Sequence, residues 1–140
     1  MRVLHVTRDF PPRRNGGLST AVAGLVEATP CPTAVLSFDA WRPRGKSKPT
    51  LRDTEHVARL ASPRDLPKAR RFAETFAPTH VHVHHAMLFP FAASLGAPTV
   101  LSIHVVQREL RRLRDLPSPT QSEQAQAAAI ARADRVIVPS

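Results

Sequence analysis

The chain has no tyrosine, one tryptophan, one cysteine and only five glycines among its 140 residues, and each shortage closes off a class of protein. With Cys31 alone, neither an internal disulfide nor a multi-cysteine zinc site can form, and the thiol reads as a buried or half-buried small side chain in a reducing compartment. Aromatics are few and none alternates with basic residues, which argues against binding single-stranded nucleic acid, whose bases stack on such rings. No Gly-x-Gly-x-x-Gly and no Gly-Lys-Ser/Thr occurs, so dinucleotide and P-loop sites are unsupported. The N-terminus runs straight into a strand pattern without an apolar leader. The longest apolar run, about 86–100, is broken by Pro90, Gly96 and Pro98 and falls short of a bilayer span. The expectation is a soluble, cytoplasmic chain.

What is present points to one domain over residues 1–140, on length and on an apolar content of 42%, enough to build a core. Fourteen prolines suggest stiff connections. The net charge of +9 is unevenly spread: +2 over residues 1–29, +5 over 30–77, zero over 78–106 and +2 over 107–140. The excess therefore belongs to loops and exposed helix faces, where it attracts phosphates, anionic lipid headgroups or nucleic acid.

The charge-free stretch 78–106 holds five of the seven histidines, and both of its β-like runs, 79–85 and 99–104, end on imidazole. Uncharged strands joined by an apolar helix read as the buried middle of a parallel sheet. Around them the pattern predicts strands at 2–7, 33–38, 56–60 (an edge strand bounded by Pro63) and 135–138. Helices are predicted at 18–28 (capped by Ser19 or Thr20), 66–76, 87–95, 107–116 and 122–133. Residues 41–50, with Arg42, Arg44, Lys46 and Lys48, read as an exposed basic loop. Alternating strands and helices imply an α/β, Rossmann-like, doubly wound sheet, mainly parallel, with helices on both faces. An uncovered final strand at 135–138 would leave an open edge, so a continuation or a partner chain is expected.

In such sheets ligands bind beyond the carboxyl ends of the strands. Gly16 and Gly17, between the first strand and first helix, either let a phosphate approach free backbone N–H groups or only form a turn of positive φ. His80, His82 and His84 share one face of their strand while Val81, Val83 and His85 take the other. Two of the three, with His104, could grip a metal, but no acidic residue stands near to complete a shell, and no metal is expected. His80 and His82 read as packing residues with one satisfied nitrogen, and His84 and His85 as emerging at the strand end. His104 either hydrogen-bonds a ligand or is a satisfied core histidine. Arg108, Arg111, Arg112 and Arg114, beside Leu110 and Leu113, form either a solvated face or a surface for anionic lipid.

Taken together, the opening Met-Arg-Val-Leu-His-Val-Thr-Arg-Asp-Phe-Pro-Pro with Asn15-Gly16-Gly17, the His-Val-His-Val-His-His of 80–85, the Pro-Thr-Val-Leu-Ser-Ile-His of 98–104 and the Ala-Asp-Arg-Val-Ile-Val-Pro-Ser of 133–140 resemble the N-terminal, acceptor-side domain of family 4 retaining GT-B glycosyltransferases. The resemblance implies a second domain or partner chain that holds a nucleotide-sugar donor as co-substrate, with no cofactor and no metal. It implies that Gly16 and Gly17 approach the donor diphosphate and the acceptor, and that His104 acts as a catalytic residue near the anomeric centre. Arg13, Arg14, His84 and His85 would line the acceptor side, for a sugar or lipid-linked acceptor, with peripheral membrane contact and no nucleic acid. The Glu-x(7)-Glu motif of the family's donor domain is absent, so the chain is expected to be an excised or split half, inactive alone. A stand-alone ligand-binding module and a basic membrane-surface or nucleic-acid adaptor without catalysis are the alternatives.

Overall fold

Side chains alternate across a strand, so the sequences Val-Leu-His-Val-Thr, His-Val-His-Val-His and Val-Leu-Ser-Ile-His each present one apolar and one polar edge. The computed structural model, which describes residues 1–12, 17–38 and 53–138, brings these edges together. The strands are β1 (Val3–Thr7), β2 (Thr33–Ser37), β3 (Val57–Arg59), β4 (His80–Val83), β5 (Thr99–Ser102) and β6 (Arg135–Ile137). They form one parallel six-stranded sheet in the order β3-β2-β1-β4-β5-β6. That is the Rossmann order, whose direction reverses between β1 and β4. The helices are α1 (Gly17–Ala28), α2 (Leu66–Phe76), α3 (Phe89–Ala93), α4 (Gln107–Leu113) and α5 (Gln121–Arg132).

Register sorts the faces. Leu4 lies beside Ala34 and Val81, and Val83 beside Leu101, so the apolar side chains share one side. There they cluster with Ala69 and Ala73 of α2, Phe89 and Ala92 of α3, and Ala129 of α5. Full burial of a side chain such as Leu101 or Phe89 stabilises by roughly 1.5–3 kcal/mol. On the other side His5 pairs in register with Val35 and His82, and Thr7 with Ser37. His84 continues this line, its N–H bonded to Val6 O at 2.9 Å. His5, Thr7, Ser37, Arg59, His82, His84 and Ser102 are all buried. Right-handed crossovers that run in opposite directions across the sheet place their helices on opposite faces, which puts α1 over this polar side. Its buried residues are Ser19 and Val22.

Local chemistry sets the ends. Ala77 closes α2 in the left-handed conformation (φ 49°), its N–H on Ala73 O, and Pro78 follows. Asp65 Oδ2 accepts from the backbone N–H groups of Ala61 (2.7 Å) and Ser62 (3.0 Å) ahead of α2. Thr120 and Glu123 form a reciprocal capping box on α5. Arg59, on the edge strand, sends its guanidinium to the carbonyls of Phe10 and Pro11 beyond β1.

Several expected boundaries shift. α1 begins at Gly17, so Ser19 and Thr20 sit inside its first turn and not ahead of it. The helix expected at 87–95 is divided into a 3₁₀ turn (Ala86–Leu88) and α3, because His85 Nδ1 accepts the Met87 N–H and Pro90 starts the helix proper. α4 stops at Leu113, before Asp115 turns left-handed (φ 50°), and none of its residues is buried. The basic loop at 41–50 lies outside the described residues.

Candidate functional site

Where β4 and β5 end, the chain leaves a cavity of about 250 Å³ lined by Leu18, His84, His85, Met87, His104 and Gln126, among others. Its position follows from topology, since α1 starts at the mouth of β1 and strand order reverses beside it. Gln126 fastens the rim: its Nε2 donates to Val105 O (2.8 Å) and its Oε1 accepts the Gln107 N–H (3.0 Å).

Four imidazoles lie on the polar sheet face and run inward from the cavity. His104 is exposed, while His84, His82 and His5 are 3%, 8% and 1% exposed. His84 Nδ1 is 3.4 Å from His104 Nε2, and His84 Nε2 is 3.0 Å from His5 Nδ1. The His5 and His84 rings stack, with an interplanar angle of 11° and centroids 5.3 Å apart. His82 turns sideways, its Nε2 2.8 Å from Ser102 Oγ on β5. His5 Nε2 is buried and has no hydrogen-bond partner among the described residues.

Burial is the main force on their protonation, because a charged ring would lose its hydration. It lowers His5 to about 4, with His82 adding repulsion, and lowers His82 to about 4, with His104 adding to it. His84, inside the group, falls to about 2 through burial and then through His82, His5 and His104. His85 falls to about 4 through burial and the Arg8 guanidinium, against a smaller opposing pull from Asp9. His104 is lowered by burial. At neutral pH the rings are uncharged, each with one N–H donor and one acceptor nitrogen.

The structure brings His84, His85 and His104 together on one cavity. His84 does not emerge at the strand end as expected, because it continues the β ladder and is flanked by the rings of His5, His82 and His104. Gly17 opens α1 beside Leu18, with no positive φ, and a Cβ there would meet nothing within 4 Å. Arg13, Arg14 and Gly16 lie outside the described residues. The possible metal group also changes membership. His80 stays apart, its Nδ1 3.1 Å from Thr79 Oγ1, whereas His5, His82 and His84 bring ring nitrogens within 4.8 Å of one another. Such neutral nitrogens suit a transition ion. In the structure His5 Nδ1, His82 Nε2 and both nitrogens of His84 are engaged with one another, with His104 or with Ser102.

Sequence reasoning missed His5, Ser102 and Gln126. The first two were findable, since parity places His5 and Ser102 on the histidine face once the strand order is known. Nothing in the sequence marks Gln126.

A family model described as Glycosyltransferase Family 4 matches residues 17–140. The chain belongs to glycosyltransferase family 4. It forms the N-terminal domain of that family, and the Rossmann-like sheet and the mouth at β4 and β5 are the family 4 chain's own. None of the curated proteins compared matches it. Among the described residues no helix is long and apolar enough to cross a membrane.

Proposed function

We propose that this domain is the acceptor-side half of a retaining glycosyltransferase that uses a nucleotide-sugar donor and a donor-binding C-terminal half. The observation that carries the reading is the cavity at the ends of β4 and β5, where His84, His85 and His104 meet the start of α1 in a family 4 chain. A sugar presents hydroxyl oxygens that both give and take hydrogen bonds, and neutral imidazoles match both needs. His104, the exposed ring, is the one positioned to touch the transferred sugar, where a fixed dipole stabilises charge developing at the anomeric centre. His85 and the rim residue Met87 face the acceptor side. Gly16 and Gly17 approach the donor diphosphate, and Arg13 and Arg14 the acceptor. The reaction needs no metal in this reading.

The test is reconstitution. The isolated chain should give no transfer, and mixing it with a C-terminal family 4 half and a nucleotide sugar should give product that keeps the donor's anomeric configuration. Inverted product, or transfer by the isolated chain, would overturn the reading.

A second contact is favoured by α4. Arg112 and Arg114 flank Leu113, which is 76% exposed, and the helix buries no residue. We propose peripheral docking of this helix on anionic lipid, consistent with a cytoplasmic enzyme that takes a lipid-linked acceptor. Binding to vesicles of anionic lipid that weakens on Leu113→Asp supports it, and binding unchanged by that substitution refutes it.

A further inference from the structure

His104, His84 and His5 form a line of three rings from the cavity into the core, and its hydrogen bonding has only two self-consistent forms. His84 is neutral and has one N–H, yet both of its nitrogens meet another ring nitrogen. It must therefore donate on one side and accept on the other.

In the first form His84 Nδ1–H donates to His104 Nε2, and His84 Nε2 accepts from His5 Nδ1–H. The buried His5 Nε2 is then a bare lone pair, and a neutral His104 must carry its proton on Nδ1. In the second form every proton moves to the other nitrogen. His5 Nε2 then becomes a buried N–H, and His104 turns a lone pair outward. Among the described residues His5 Nε2 has no partner in either case. Orphaned buried N–H groups are rarer in folded proteins than orphaned acceptors, and a donor left without an acceptor forfeits its hydration fully. The first form is the favoured one.

We infer that His5 and His84 are positioning residues that hold His104 in its Nδ1–H tautomer, so that it offers a hydrogen-bond donor to a ligand oxygen in the cavity. The functional meaning of this rests on the sugar-site reading above, while the tautomer itself does not. The tautomer of a metal- or substrate-binding histidine is commonly set by what its other nitrogen meets. Here a buried imidazole on β1 sets it through a second imidazole just past β4. The ligand group that fits is a hydroxyl, carbonyl or phosphate oxygen presenting lone pairs, and a hydroxyl bound here would have to accept.

Long-range nitrogen–proton correlation spectra of the uniformly ¹⁵N-labelled 140-residue chain at neutral pH test this without any transfer reaction. His5, His84 and His104 should each show a protonated Nδ1 and an unprotonated Nε2. In His84→Phe, which keeps a ring of similar volume, His104 should gain Nε2–H population. A protonated Nε2 on His104 in the parent chain overturns the inference, and so does an unchanged His104 pattern in a folded His84→Phe variant. If that variant does not fold, the parent spectrum alone decides. Failed glycosyl transfer with the expected spectra would sink the sugar reading and leave the tautomer assignment standing.

Discussion

His82 Nε2 and Ser102 Oγ lie 2.8 Å apart across the β4–β5 pair, a buried contact that joins the histidine-bearing strand to the strand leading into His104. Removing the hydroxyl leaves a buried imidazole nitrogen without its partner. Ser102→Ala should therefore destabilise the chain by roughly 1–3 kcal/mol, beyond the small cost of the lost atom itself. Urea unfolding of the two proteins measures it, and equal midpoints would show that the contact contributes nothing.

The histidine cluster predicts a direction for stability against pH. His5, His82 and His84 have folded-state pKa values below the ordinary 6.5, at about 4, 4 and 2. Between those values and 6.5 the unfolded chain binds more protons than the folded one, so stability is complete above pH 6.5 and falls as pH drops. Each fully differing group contributes a slope of about 1.4 kcal/mol per pH unit. A lower urea midpoint at pH 5 than at pH 7.5 is expected. Midpoints that stay level over that range would mean the rings are not buried in their neutral form.

His104→Ala in the reconstituted enzyme should lower kcat by about 10²-fold or more, the usual loss when one fixed group facing developing charge is removed. The variant also leaves the buried His84 Nδ1 without its ring partner, so a lower urea midpoint is expected beside the kinetic loss. Full turnover in the variant would take His104 out of the chemistry.

At the start of α5, Thr120 Oγ1 accepts the Glu123 N–H at 3.3 Å, and Glu123 Oε2 accepts the Thr120 N–H at 2.6 Å. Ser118 Oγ, 2.5 Å from Glu123 Oε1, is the largest influence holding that carboxyl below its usual range. Thr120→Ala should cost about 1 kcal/mol, since an N-cap hydroxyl has no substitute in alanine. A change below a few tenths of that size in thermal or urea unfolding would show that this helix end is held by other contacts.

Much of the fold was legible because its signals are local. The β-branched runs, the Pro78 stop after α2 and the charge-free 78–106 stretch each follow from short-range chemistry, and they led to the correct class and to His104 at a strand end. The reading of the histidine face went astray at His84 for a physical reason. The run reads as ending at His84 and His85, and only pairing with β1, which the run itself does not show, carries the ladder on to His84. The early end of α4 depends on a left-handed Asp115, which composition does not announce. The ring-to-ring line from His104 to His5 needs the register of β1 against β4, as the His5–His84 separation of 79 illustrates.

The guanidinium of Arg59 belongs to the outermost strand on the side of the sheet away from β5, yet the groups it grips are the carbonyls of Phe10 and Pro11, on the segment that leaves β1 for the start of α1. The segment that leaves β1 is thus braced from the far edge of the sheet. A mutagenesis campaign confined to side chains that touch substrate would pass over this brace. Arg59→Lys, which keeps the charge but loses the forked donor, would loosen the backbone at Phe10 and Pro11 without altering a residue that lines the cavity.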